Sequence, residues 1–181
     1  QEHLKGLIVC NMQSSIPEYA AYNKSTLRPQ MRPSLVDSLE AYEAAGDFQN
    51  PTYLELIDQE FYRKHICRLK EWPEEVVGSF ARLNYKLYDL MQGPSEFKVG
   101  GRIIDWDITP LLGEIGTPTL MVGATHDTMD PAAMARQATL VQRGRALICE
   151  NGSHLALWDD AEAFFGGVTD FIRDVEEGRF P

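Results

Sequence analysis

Two hydrophobic rhythms divide the chain. Leu4 to Asn11 (LKGLIVCN) is a continuous apolar run of strand length, the form expected of a parallel-sheet strand covered on both faces. From Ser14 to Gly93 the rhythm changes to helical spacing. Leu35, Leu39 and Tyr42 form one such set, and Leu56, Ile57, Phe61 and His65 a second, the latter behind Asn50-Pro51, an N-cap with a first-turn proline. Val76, Val77, Phe80, Leu83, Leu87 and Leu90 make a third stripe between Pro73 and Met91, closed by Gly93-Pro94. The middle of the chain therefore predicts a helical insertion of about three helices.

Beyond Gly100-Gly101 the rhythm alternates. Thr109-Pro110 opens a short helix to Ile115, Pro118 to Val122 (PTLMV) is a buried strand, and Asp130-Pro131 caps a helix running to about Val141. Ala146 to Cys149 (ALIC) is a further strand, and Asp159 to Glu177 a closing amphipathic helix. Helix and strand in alternation predict an α/β fold built on a parallel sheet. There is no internal repeat.

Composition changes this picture in three ways. A formal charge of −10 excludes the basic face that a nucleic-acid binder needs and suits a cationic substrate. No apolar run approaches the ~20 residues of a membrane span. Cys10, Cys67 and Cys149 are odd in number and match no zinc spacing, which reads as reduced thiols in a cytosolic protein. The chain opens on a charged lead-in, QEHLK, without Met, and reads as an interior segment of a longer protein.

The candidate chemistry sits in two loops. Asp127 follows the strand at Pro118 to Val122, and His154 follows the strand at Ala146 to Cys149. A right-handed βαβ crossover makes those strands parallel, so both loops leave the sheet at its carboxyl edge, where open α/β folds place their sites. An acid beside a histidine can fix the imidazole tautomer and let the other ring nitrogen take a proton from a nucleophile. Taken singly, each residue also has a plain structural use, Asp127 in a turn and His154 as a packed polar residue. The order acid then histidine matches an α/β-hydrolase, but no G-x-S-x-G elbow occurs, and Ser153 in NGSHL abuts His154 without a strand-to-helix turn. His126, Asp127 and Asp130 lack a further His or Cys at zinc spacing, so no metal is expected. His65 and Cys67 in KHICR read as helix-face packing. Trp72, Trp106 and Trp158 read mostly as packing, with one or two aromatic side chains left to line an apolar pocket.

Taken in order, HLKGLIVCNM, MRPSLVDSL, FYRKHICRL, WPEEVVGSF, MQGPSEF, DWDITPLL, TPTLMVGATHDTMDP and ENGSHLALWDD resemble the proline iminopeptidase family of α/β-hydrolases along nearly the whole chain. The resemblance implies the C-terminal portion of such an enzyme: a core-strand segment over 1–13, a helical cap over 14–100, and over 101–181 the C-terminal core carrying the triad acid Asp127 and base His154. It implies a serine aminopeptidase that releases N-terminal proline, or another N-terminal residue, from short peptides or amides without a cofactor. The nucleophilic Ser would lie upstream, in an N-terminal part of the same protein, and without that part the segment is not expected to fold alone. Glu96, in GPSEF, matches a cap carboxylate that holds the substrate's free α-amine. Some relatives carry a second anchoring Glu directly after the triad Asp, where this chain has Thr128. Either another acid, such as Glu60 or Asp130, compensates, or the amine is held less tightly. Alternatives are an amino-acid amidase or other capped hydrolase (esterase or epoxide hydrolase), and a non-catalytic binding protein on the same fold.

Overall fold

A computed structural model describes residues 3–180; Gln1 and Glu2 of the charged lead-in lie outside the described residues. Three parallel strands, β1 (Leu7–Cys10), β2 (Thr119–Ala124) and β3 (Gly144–Cys149), lie in the order β1-β2-β3, with Leu7 opposite Thr119 and Thr119 opposite Gly144. β2 is central and buried along its whole length. Its side chains alternate between faces as the strand period demands. Leu120 and Val122 pack with Phe164 and Phe171 on one face, and Met121 with Met134 and Ala138 on the other.

β1 is shorter than its apolar run and only half-buried, with Cys10 exposed. Among the described residues it pairs with β2 alone, so the continuous burial expected from its sequence is absent.

The helical region is more divided than its periodicity predicts. It holds α1 (Ile16–Tyr22), α2 (Pro33–Ala45), α3 (Pro51–Ile57), α4 (Arg63–His65), α5 (Glu74–Ala81) and α6 (Tyr85–Met91). α3 and α4 join through a widened turn at Asp58–Tyr62, so Ile57, Phe61 and His65 still share a buried face. The stripe from Val76 to Leu90, in contrast, is two helices. Asn84 accepts a hydrogen bond from the Leu87 amide (3.2 Å) and starts α6 afresh. Val76 is buried, while Val77, Leu83, Leu87 and Leu90 are exposed.

Leu35, Leu39, Tyr53, Ile57, Phe61 and Phe97 form the core of this region. Each such fully buried side chain is worth about 1.5–3 kcal/mol of transfer free energy. The region leaves and returns at one place: Ile16 N donates to Trp106 O (2.9 Å) and Ile108 N to Ser14 O (2.8 Å). A helical excursion can thus sit on the sheet without breaking it.

After β2, Asp130 caps α7 (Pro131–Leu140) by accepting from the Ala132 amide at 2.9 Å. The closing helix is split into α8 (Ala156–Asp159) and α9 (Ala161–Glu176), because Asp160 leaves helical geometry. No helix among the described residues is long and apolar enough to cross a membrane.

Candidate active site

The carboxyl edge of the sheet brings Asp127 and His154 together, with His154 Nδ1 at 2.9 Å from Asp127 Oδ1. Asp127 is fully buried, and a charge so placed needs donors on every side. Oδ1 also accepts from the Met129 amide (3.1 Å) and the Thr128 hydroxyl (3.3 Å), and Oδ2 accepts from Asn11 Nδ2 (2.6 Å). Asn11 was not found from the sequence; its one signal is its place at the end of β1, at the same edge as the two loops.

The His154 loop is pinned to the helical region by main chain. His154 N donates to His65 O (2.9 Å) and Leu155 N to Ile66 O (2.8 Å). Ser153 is buried. Its amide donates to Asp159 Oδ1 (3.0 Å) and its hydroxyl reaches both Ile66 O (2.9 Å) and Asp159 Oδ2, which also accepts from the Arg68 amide (2.9 Å). Asp159 therefore ties the chain after α4 to the loop that carries the imidazole. Gly152 permits the approach: a Cβ there would meet Ala156 Cβ at 2.8 Å. His65 belongs to the same scaffold, its Nδ1–H donating to His126 O (2.9 Å) while its ring packs on Phe61.

Electrostatics set the charge of the imidazole. Burial by itself pushes His154 down, but the Asp127 carboxylate, by charge and by hydrogen bond, and then the Glu96 charge raise it from 6.5 to about 9. The folded state thus favours the imidazolium. Its contribution, about 3 kcal/mol, is complete below pH 6.5 and fades as the pH rises through about 9.

Glu96 occupies the loop after α6. Gly93 shapes the start of that loop, at φ +102°, where an added Cβ would lie 2.8 Å from Lys98 O. The Glu96 carboxylate accepts from Tyr88 Oη and Gln92 Nε2 on Oε1, both at 2.6 Å, and from Tyr19 Oη on Oε2. The phenols remain protonated donors: burial and then the Glu96 charge raise Tyr19 and Tyr88 well above their ordinary value. Tyr19, Tyr88 and Gln92 are further members that sequence reading missed, since nothing in their spacing marks them.

His154 and Glu96 line one cavity of about 560 Å³, whose walls include Tyr62, Trp72, Phe80, Tyr85 and Tyr88 among aliphatic side chains such as Ile57, Ile66 and Leu83. That size and lining suit a small organic ligand. Trp72 faces the cavity, whereas Trp106 and Trp158 do not line it and are each 37% exposed.

Thr128 is wholly buried beneath this site. Glu60 pairs instead with Lys64 (3.0 Å) and Arg32 (3.5 Å), and Asp130 is engaged as a helix cap; neither lines the cavity. No group of three His, Cys, Asp or Glu placed to hold a metal occurs among the described residues.

A parallel sheet that presents a carboxylate and its hydrogen-bonded histidine at the carboxyl edge, roofed by inserted helices, defines an α/β-hydrolase. The chain is 50% identical over 179 residues to a proline iminopeptidase of Flavobacterium johnsoniae and 51% identical over 182 residues to that of Elizabethkingia meningoseptica, in each case over 99% of its own length. Over nearly its whole length it is thus similar to proline iminopeptidases. The crystal structure of the Mycobacterium smegmatis proline iminopeptidase superposes with a TM-score of 0.85 at 27% identity, over 98% of this chain and 59% of that one. The chain spans about 60% of the length of the curated relatives it matches. No family model matches it.

Proposed function

We propose that the protein carrying this chain is a serine aminopeptidase that removes N-terminal proline, or another N-terminal residue, from short peptides through an acyl-enzyme. The observation that carries the reading is the 2.9 Å contact of His154 Nδ1 with buried Asp127, at the head of a cavity shared with Glu96. Residues 14–100 act as the cap over an acid and base carried by residues 101–181. The nucleophilic Ser comes from outside this chain. With Nδ1 held by Asp127, Nε2 of His154 takes the hydroxyl proton as Ser attacks the carbonyl, then delivers it to the departing amine; water repeats the cycle on the ester. The odd number of cysteines, Cys10, Cys67 and Cys149, favours a reducing, cytosolic setting in this reading.

Glu96 receives the substrate ammonium. A carboxylate has about four acceptor positions. The three donors around Glu96 among the described residues leave one open on Oε2, and a charge-assisted bond there rewards a free N-terminus. Glu96→Gln in the full-length protein is expected to raise KM for L-prolyl-p-nitroanilide about ten- to hundred-fold, with little change for an N-blocked prolyl ester. Equal losses on both substrates would remove Glu96 from amine recognition.

The base must be neutral to accept a proton, so activity rises with pH as His154 loses its charge. The acid limb of kcat/KM is expected alkaline of 6.5, toward about 9. A limb at or below 6.5 would show that the Asp127 and Glu96 charges do not act on the working base. Hydrolysis of prolyl dipeptides by the full-length protein tests the whole reading, and a protein inactive on every free-amine prolyl substrate would overturn it.

A further inference from the structure

Asn11 is the one non-glycine residue with positive φ among the described residues, at +50°, and it stands where β1 ends. Its amide N–H still extends the ladder to Val122 O (2.8 Å), so the left-handed turn occurs directly after a fixed point. The result is that Nδ2 is delivered to Asp127 Oδ2 at 2.6 Å, across 116 residues of sequence and with both groups buried. Asparagine tolerates left-handed backbone better than most residues, and here it adds a neutral donor aimed at a buried anion.

The two oxygens of Asp127 are held differently. Oδ1 gathers the imidazole, the Met129 amide and the Thr128 hydroxyl, all from its own side of the sheet, whereas Oδ2 is reached from β1. A carboxylate bound through one oxygen can swing about that contact; bound through both, its plane is fixed. We propose that Asn11 is a positioning residue of the active site, locking the Asp127 carboxylate in the orientation that keeps Oδ1 on His154 Nδ1. This inference rests on the hydrolase reading above, in which His154 is the base. Other groups surround the pair: Glu96 from the loop after α6, whose charge acts on His154, and His65 from α4 and Tyr22 from α1, both of which feel the Asp127 charge.

Two variants of the full-length protein test it. Asn11→Gly keeps the backbone freedom and removes the donor. It is expected to lower kcat for L-prolyl-p-nitroanilide about ten- to hundred-fold, the worth of a hydrogen bond to a charged group, with KM unchanged because Asn11 does not line the cavity. Asn11→Asp keeps the side-chain volume and tolerates the same φ, but sets a second carboxylate against Oδ2. One of the two then retains a proton into a higher pH range. Its rate is expected to fall on the alkaline side as that proton leaves, where the wild-type profile is level.

A residue that only shaped the turn would leave Asn11→Gly at wild-type kcat, and one whose side chain did not reach Asp127 would leave Asn11→Asp at the wild-type profile as well. Wild-type kcat and pH profile in Asn11→Asp would therefore overturn the proposal, including where Asn11→Gly fails to fold. A wild type inactive on prolyl substrates would sink the hydrolase reading instead. The carboxyl 13C titration of Asn11→Asp would still decide the Asn11–Asp127 coupling, since a second carboxyl held against Asp127 must keep its proton well above the ordinary carboxylate range and an uncoupled one must titrate within it.

Discussion

His154→Ala in the full-length protein is expected to lower kcat about 10⁴- to 10⁶-fold while the fold persists. The loss is large because in this reading the ring moves the proton in both half-reactions, while the Glu96 carboxylate that shares its cavity is already held by Tyr19, Tyr88 and Gln92. The fold persists because the loop is held by its main chain, through His154 N to His65 O and Leu155 N to Ile66 O, and by Ser153. Asp127 keeps three donors in Asn11, Thr128 and Met129, so its buried charge is not abandoned. The variant should nonetheless be less stable in acid. It forfeits a favoured imidazolium worth about 3 kcal/mol below pH 6.5, so its unfolding midpoint should trail wild type by more at pH 6 than at pH 9. Turnover of L-prolyl-p-nitroanilide and thermal melts at the two pH values check both halves. Activity within tenfold of wild type would remove His154 from the chemistry.

The polar framework was unevenly legible. Asp127 and His154 could be placed because each follows an apolar strand, and parallel strands send their loops to one edge whatever the packing details. Glu96 stood out only through the resemblance of its loop. Its partners were hidden: Tyr19 and Tyr88 sit on helices as ordinary amphipathic residues, and their convergence depends on how α1 and α6 dock. Asn11 was hidden for a related reason, since its contact joins positions 116 apart and no local pattern records a pairing of that range.

Among the helices, periodicity located the apolar faces better than the breaks. One stripe from Val76 to Leu90 became two short helices because Asn84 offers its side chain as a cap, a local bond that competes with helix continuation. Much of that stripe is exposed, with Val77, Phe80 and Leu83 at the cavity lining rather than in the core. An apolar stripe and an apolar pocket wall have the same sequence signature. Only tertiary placement separates them.

Asp127→Asn is the second change expected to have a large effect, and its outcome separates charge from geometry. The amide can keep Oδ1 on the His154 ring and the Met129 amide, which leaves its NH₂ facing Asn11. Half a turn of the Asn11 side-chain amide then presents an oxygen to that NH₂, and the pair is satisfied again without strain. Where such a rearrangement is open, the imidazole tautomer is preserved and the variant lacks only the negative charge. Without that charge the imidazolium formed during proton transfer loses its partner, and burial, now opposed only by the smaller effect of Glu96, pulls His154 down from about 9. The expected result is a fall in kcat of about 10³- to 10⁴-fold, KM little changed, and an acid limb displaced to lower pH. Removing the Asn11 rearrangement as well, in Asp127→Asn with Asn11→Gly, should add almost nothing to the loss if charge is what matters. A strongly additive double variant, or a single variant whose acid limb stays in place, would instead make Asp127 a geometric support and move the origin of the raised His154 pKa to Glu96.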